Sequence, residues 1–214
     1  MSAPLLVLDG VSHRGASLPR VEVAAGEGVA LVGQPGTGKA LALRVAGGLR
    51  PPGGATLERT CRLAYVFAEG GLLATLSVRD NLLLPLVHGG HPDAAHRVDE
   101  VLQAWGLVSV AGTSPLSLSA SAQRIVQFAR VEALGAVLAV VEEAPQGSEV
   151  SDRVRRWWRR HLGAGGGILT AATTPHAVER VGARVVSLDP VAAPGASRKG
   201  LTTGLPGAIT QVLS

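Results

Sequence analysis

Aromatic residues make up only 3% of this 214-residue chain, and it has a single cysteine. The lone Cys61 excludes a disulfide within the chain, which fits a reducing compartment. With so few rings, the core falls to Ala, Val, Leu and Gly, and short aliphatic runs of these suit the buried strands of a parallel α/β sheet. Charge is also sparse. The net +4 is modest and partly local, so composition does not point to general polyanion binding. No apolar run approaches the roughly 20 residues needed to span a bilayer. The opening "MSAPLLVLDG" has no basic segment before its apolar stretch and does not read as a secretion signal. Work at a membrane would need another chain to supply the spanning part. The length bounds one large domain or two small ones, and no internal repeat is visible.

What is present is a series of strand and helix signals. "LLVLDGV" and "VEVAAGEGVALVG" predict β segments around a Gly-containing turn. "KALALRVAGGLR" has helical spacing and stops at Gly47-Gly48. "PPGGATL" predicts a turn and "RLAYVF" a strand. In "TLSVRDNLLLPL", Ser77 is placed to cap a helix with Asp80 three residues on, and Pro85 is expected to interrupt it. "DAAHRVDEVLQAWGL" and "SASAQRIVQFARVEAL" are amphipathic helices, the second beginning at Ser119. "AVLAVVEEA" is an aliphatic strand, "SDRVRRWWRRHL" a helix, "GILTAAT" a strand, "HAVERVG" a short helix and "ARVVSLD" the last strand. Beyond Pro190 the composition shifts to Gly, Pro, Ala, Ser and Thr, which predicts an irregular tail over 191–214. This gives an α/β chain with one domain over 1–190 and a helical insertion at about 75–132.

The strongest motif is "GQPGTGKA". Gly33, Gln34, Pro35, Gly36, Thr37, Gly38 and Lys39 fit G-x-x-x-x-G-K, between an aliphatic strand and a helix. Glycines let backbone N–H groups turn inward around phosphate oxygens, the helix start adds positive potential, and Lys39 would reach the β- and γ-phosphates. The next residue, where a Ser or Thr hydroxyl would meet Mg²⁺, is Ala40, followed by Leu41. The alternative is a Gly-rich turn with no ligand. About a hundred residues later, Glu142 and Glu143 close an aliphatic strand. An acid there holds Mg²⁺ in phosphate-loop proteins, and a following Glu can orient or deprotonate water. A solvated acidic strand end is the plainer alternative.

"RVRRWWRRH" is the densest charge cluster. Arg and Trp together can grip nucleic acid or an anionic membrane surface. Helical spacing also puts Val154, Trp158 and His161 or Leu162 on one face, which would pack on the sheet and leave the arginines solvated. The second reading is preferred, and no nucleic-acid partner is expected.

Together these motifs resemble the nucleotide-binding subunit of ABC transporters, from about Leu6 to Asp189. The Walker A loop is similar to 33–40. "YVFAEGGLLATLSVRDNLLLPL" resembles the Q-loop segment, with Ala68 where the family has Gln. "LSASAQRIVQFAR" is similar to the signature and its helix: Leu118, Ser119 and Arg130 match, while Ala120, Ser121 and Ala122 replace Gly-Gly-Gln. "VLAVVEEAPQG" resembles Walker B, with Glu142 in place of Asp and Glu143 matching the catalytic Glu. Thr174 falls where the family has the switch His, with His176 nearby on the expected short helix. The aromatic residue that stacks on adenine has no match around "VSHRG". The wording of "GGLL…TLSVRDNLLLPL" leans towards the bacterial lipid-transport branch that includes the MCE-domain systems.

The resemblance implies a P-loop fold with a mainly parallel sheet, a helical subdomain and an antiparallel segment near the N-terminus. It implies ATP, and Mg²⁺ held weakly by Glu142 through water, as cofactors. It implies a membrane permease and a second nucleotide-binding subunit as partners, Ser119 facing the partner's nucleotide, and a place on the cytoplasmic face of the membrane. "SVRDNLLLPLVHGG" sits where the family docks its permease. Ala40, Ala68, Glu142 and Thr174 all fall on the metal and γ-phosphate chemistry, and losing one positioned donor costs roughly a hundred- to a thousandfold. The leading expectation is a subunit that binds ATP and hydrolyses it poorly at its own site. Two others stand beside it: an active ATPase with compensated motifs, and an interaction module that no longer binds nucleotide.

Overall fold

The computed structural model describes residues 3–144, 148–179 and 181–188, with backbone alone for 148–151. The chain opens with β1 (Leu6–Asp9), a hairpin of β2 (Ser12–His13) and β3 (Ala16–Ser17), then β4 (Val21–Val23) and β5 (Gly28–Val32). Helix α1 (Lys39–Ala46) follows, then β6 (Thr56–Arg59) and β7 (Leu63–Val66). Three helices come next: α2 (Val78–His88), α3 (Ala94–Ala104) and α4 (Ala120–Leu134). The chain then runs through β8 (Leu138–Val141), α5 (Ser148–Gly163), β9 (Gly167–Ala172), α6 (His176–Glu179) and β10 (Arg184–Ser187).

The aliphatic runs form one parallel sheet in the order β10-β5-β9-β8-β7. A separate antiparallel sheet has the order β4-β1-β6. Strands β5, β8 and β9 are buried along their whole length, which is why they read as unbroken apolar runs. Strand alternation divides the core between two faces. Leu138 and Val140 of β8 pack with α1 and the antiparallel sheet, whereas Ala139 and Val141 pack with the helices α2 to α5. Among the described residues, no helix is long and apolar enough to cross a membrane.

Two expectations change. Pro85 does not interrupt its helix: α2 runs through it to His88. An internal proline costs about 3 kcal/mol. Leu82 and Leu86 are both fully buried there, at about 1.5–3 kcal/mol each, and Ser77 caps the first turn through the Asp80 amide. The "PPGGATL" turn also continues into a strand, β6, that pairs with β1. Only Leu57 of β6 is even partly buried, so the strand carries no alternating pattern to read.

The basic segment follows the packing reading. Val154, Trp157 and Trp158 of α5 are buried, with Trp157 against Phe128 at 5.2 Å, so both rings are out of reach of bases. The Gly/Pro/Ala-rich tail, 191–214, lies outside the described residues.

Candidate functional site

Parallel α/β sheets leave a crevice at the carboxyl ends of their strands. Here the cleft has a volume of about 330 Å³ and is lined by Lys39, Ala40, Arg44, Ala68, Glu142, Glu143, Ala171, Ala172 and Thr173. Strand β5 delivers the glycine loop to it. Gly36 and Gly38 take φ of 86° and 93°, in the left-handed region, so the loop needs glycine there. At Gly33 a Cβ would stand 2.7 Å from the Leu188 carbonyl. Thr37 is buried and donates its hydroxyl to the Gln34 carbonyl at 2.9 Å, bracing the loop from inside. Lys39 folds back on the loop and donates to the carbonyls of Gly33 (2.5 Å) and Gln34 (2.9 Å). Burial holds its pKa below the usual lysine value.

Strand β8 delivers Glu142, whose side chain is only 12% exposed. Its Oε1 accepts from Tyr65 Oη (3.0 Å) and Arg44 Nε (3.2 Å), and its Oε2 from the Ala68 amide (3.0 Å). Burial pushes the Glu142 pKa up, but the Ala68 amide, Arg44 and Tyr65 outweigh it and hold the carboxyl below its ordinary value. For Tyr65, burial and then the charge of Glu142 push the phenol up, so it remains a donor.

Helix α4 secures the segment that carries Ala68. Gln127, buried, accepts from the Phe67 amide at 2.9 Å, and Arg124 donates to the carbonyls of Phe67, Ala68 and Glu143. Burial lowers the Arg124 pKa, against the attraction of Glu143 and Glu142.

The expected site residues Lys39, Ala40, Ala68, Glu142 and Glu143 thus meet in one cleft. Thr174 does not line it, although its neighbour Thr173 does. Leu41 packs against the core. His176 begins α6, where it pairs with Glu179 at 2.9 Å. Ser119 caps α4 by accepting from the Ala122 amide at 3.2 Å, at an exposed helix start outside the cleft. Sequence reasoning missed Arg44, Tyr65, Arg124 and Gln127. Helical spacing could have found Arg44, four residues after Ala40. Their spacing of three puts Arg124 and Gln127 on neighbouring positions of one helix face, which could have flagged them as a pair.

Ala40 and Ala68 offer no side-chain oxygen, and the Glu142 carboxylate is already held by an arginine, a phenol and an amide. A magnesium ion bound with a nucleotide keeps several waters and takes one or two carboxylates beside the phosphates, so Glu142 and Glu143 are the side chains of this cleft that could hold it. Among the described residues, no group of three or more His, Cys, Asp or Glu converges to hold a metal.

Comparison with known proteins agrees with this geometry. A sequence model of the family described as ABC transporter matches residues 19–145. The chain is 31% identical over 178 residues to the cytochrome c biogenesis ATP-binding export protein CcmA of Novosphingobium aromaticivorans, covering 81% of this chain and 86% of that protein. It is 33% identical over 172 residues to a macrolide export ATP-binding/permease protein, MacB 1, of Aeromonas hydrophila, covering 67% of this chain and 26% of that protein. The chain therefore spans about a quarter of the length of that relative. A solved structure of the ATP-binding subunit of an ABC transporter superimposes with a TM-score of 0.76 at 20% identity, over 86% of this chain and 85% of that one. A putative metal-chelate type ABC transporter in an inward-facing conformation gives 0.75 at 17% identity, over 87% and 79%. The chain belongs to the ABC transporter family, as an ATP-binding domain with the α/β fold of that family.

Proposed function

We propose that this chain is a transporter's nucleotide-binding subunit that holds ATP through residues 33–41 and hydrolyses it poorly at that site. One observation carries the reading. Lys39, at the end of the phosphate loop, and the two acids line a single cleft, yet the side chains of Ala40 and Ala68 in it are only methyl groups. The glycine loop and Lys39 suit the phosphates, and Glu143 stands where a general base is needed. The Gln and His that would complete transition-state contacts are replaced by Ala68 and Thr174. Isothermal calorimetry with ATP, beside a Mg²⁺-dependent turnover assay, tests this. Binding that is lost in Lys39→Ala, with turnover near background, is the expected result. Ordinary turnover abolished by Lys39→Ala would overturn it.

A second reading has its own observation: Glu143 and Lys39 line the same cleft, as an active ATPase requires. A Glu143→Gln variant with lowered turnover would favour that reading. Absence of ATP binding would instead leave a non-catalytic interaction module.

The partners are proposals of the same standing. A groove of about 550 Å³ is lined by Leu49, Leu63, Tyr65, Phe67, Leu73, Leu84 and Pro85, with Leu49, Leu73 and Leu84 about half exposed. An apolar groove of this size suits a segment of a membrane permease. This would hold the chain at the cytoplasmic face of the membrane. A second nucleotide-binding subunit would meet the exposed start of α4 at Ser119. The likeness of residues 70–86 to the lipid-transport branch supports a lipid cargo. Lipid copurifying with the assembled complex would test that.

A further inference from the structure

A second cavity lies away from the nucleotide cleft and shares no lining residue with it. It has a volume of about 280 Å³ and sits between the end of α3 and the middle of α5. Three guanidinium groups line it, from Arg153, Arg156 and Arg160, beside Gln103, Trp105 and Trp157. Among the described residues, no carboxylate lines it. Spacing of i, i+3 and i+7 puts the three arginines on one face of α5, spread over about 10 Å of its axis. Trp105 and Trp157 are only 5% and 3% exposed, so the indoles close the cavity from within while the charged heads reach water.

The three arginines differ in what already holds them. Arg160 is paired with Glu132, whose carboxylate also accepts from Trp105 Nε1 at 2.7 Å. Arg153 donates through Nη1 to the Trp105 carbonyl at 2.8 Å, at the turn where Gly106 takes a φ of 62°. That bond fixes the side chain against the end of α3, but a neutral carbonyl leaves its charge uncancelled. Arg156 is exposed and has no hydrogen bond or ion pair among the described residues. Two uncompensated guanidinium groups therefore face one cavity, and one of them is already held in place. Like charges this close on a helix face repel, and a bound anion relieves that repulsion. A guanidinium is always charged, and its planar fork matches phosphate oxygens in pairs. A phosphate dianion balances both charges, whereas a single carboxylate balances one.

We propose that this cavity binds a phosphomonoester, with Arg153 and Arg156 as its counter-charges and Gln103 as a neutral donor from the facing helix. The bound group bridges α3 and α5, and so ties the helical insertion to a helix packed on the parallel sheet. The phosphomonoester comes either from a small soluble molecule or from the headgroup of a lipid such as phosphatidic acid. The site stands whether or not the nucleotide cleft is occupied, since the two share no residue.

The test is a titration of the full chain with glycerol 3-phosphate, in a Lys39→Ala background that removes the phosphate loop as a competing anion site. Ionic strength is held constant, because salt screens exposed charges. Tryptophan fluorescence reports the binding, since two of the three tryptophans line the cavity. Saturable binding is expected, weakened at least tenfold by adding Arg156→Gln and changed less than twofold by adding Arg159→Gln, at an exposed position that does not line the cavity. Thermal melts of each variant separate lost binding from lost folding. Vesicles of phosphatidic acid in phosphatidylcholine distinguish the source. Cosedimentation that is lost in Arg156→Gln and competed by glycerol 3-phosphate assigns the site to a lipid headgroup. Binding of glycerol 3-phosphate without cosedimentation assigns it to a soluble phosphomonoester. Saturation by neither probe would overturn the proposal. So would unchanged affinity in a folded Arg156→Gln variant. Equal losses in Arg156→Gln and Arg159→Gln would place the binding on diffuse surface charge rather than in the cavity, and would overturn it too.

Discussion

Arg124 and Glu143 meet through the main chain: the guanidinium on α4 donates to the Glu143 carbonyl at the end of the acidic strand. The same side chain donates to the Phe67 carbonyl at 2.8 Å and the Ala68 carbonyl at 3.2 Å, so one residue ties the segment at 67–68 to the acidic strand end. Removing a charged donor from partly buried acceptors costs about 1.5–3 kcal/mol. Arg124→Ala is expected to lower stability by about that much in urea denaturation. It should also speed amide exchange at residues 67–69. Arg124→Lys should recover only part of the loss, because an ammonium cannot span all three carbonyls.

Lys39→Ala separates binding from folding. The Lys39 ammonium donates only to two carbonyls of an exposed loop, so its loss should leave the melting temperature nearly unchanged. ATP affinity should fall at least tenfold, which is about 1.4 kcal/mol. A calorimetric titration beside a thermal melt checks both.

His161 gives the fold a pH dependence of definite sign. Its ring stacks on Trp157 at 4.9 Å and hydrogen bonds the Gly167 carbonyl at 3.3 Å. Burial is the largest influence and lowers its pKa, against the carbonyls of Gly167 and Val137 and the charge of Glu132, which raise it. A histidine depressed in the folded state contributes fully above its unfolded value, about 6.5. That contribution is lost as pH falls towards the folded value, because the unfolded chain takes up the proton first. Denaturant midpoints measured from pH 7.5 to pH 5 should fall for the wild type. The slope should be shallower in His161→Asn.

Trp158 tests the reading of α5 as a packing helix. It is fully buried, and its indole N–H has no hydrogen-bond partner among the described residues. Trp158→Ala should cost about 3–5 kcal/mol through the cavity it leaves. Trp158→Phe should cost much less, because it also removes a buried donor left without a partner among the described residues. Arg156→Ala and Arg159→Ala, both at exposed positions, should each stay within about 0.5 kcal/mol. Urea denaturation of the four variants gives the ranking.

Leu84 is half exposed on α2 and lines the apolar groove. Leu84→Asp should leave the stability of the isolated chain within about 1 kcal/mol. Capture of the proposed permease partner should be lost, read by copurification.

The order of elements, the glycine loop and the two acids were all legible in the sequence because they depend on local rules. Strand and helix periods, a Gly-rich strand–helix turn and an aliphatic run closed by carboxylates are written in consecutive residues. The packing face of "RVRRWWRRH" was legible for the same reason. Strand β6 was not, because its pairing with β1 owes nothing to an apolar pattern of its own. Pro85 misled because tertiary burial of Leu82 and Leu86 outweighed a local penalty. The sequence by itself determined that positions 40 and 68, both of which line the cleft, are alanine. Only the tertiary structure decided what gathers beside them. Arg44, Tyr65 and Glu142 come from one helix and two neighbouring strands, 21 and 77 residues apart in turn, and no local pattern links them. They meet because parallel pairing of β7 with β8 sets Tyr65 beside the acidic strand end, and α1 packs across both.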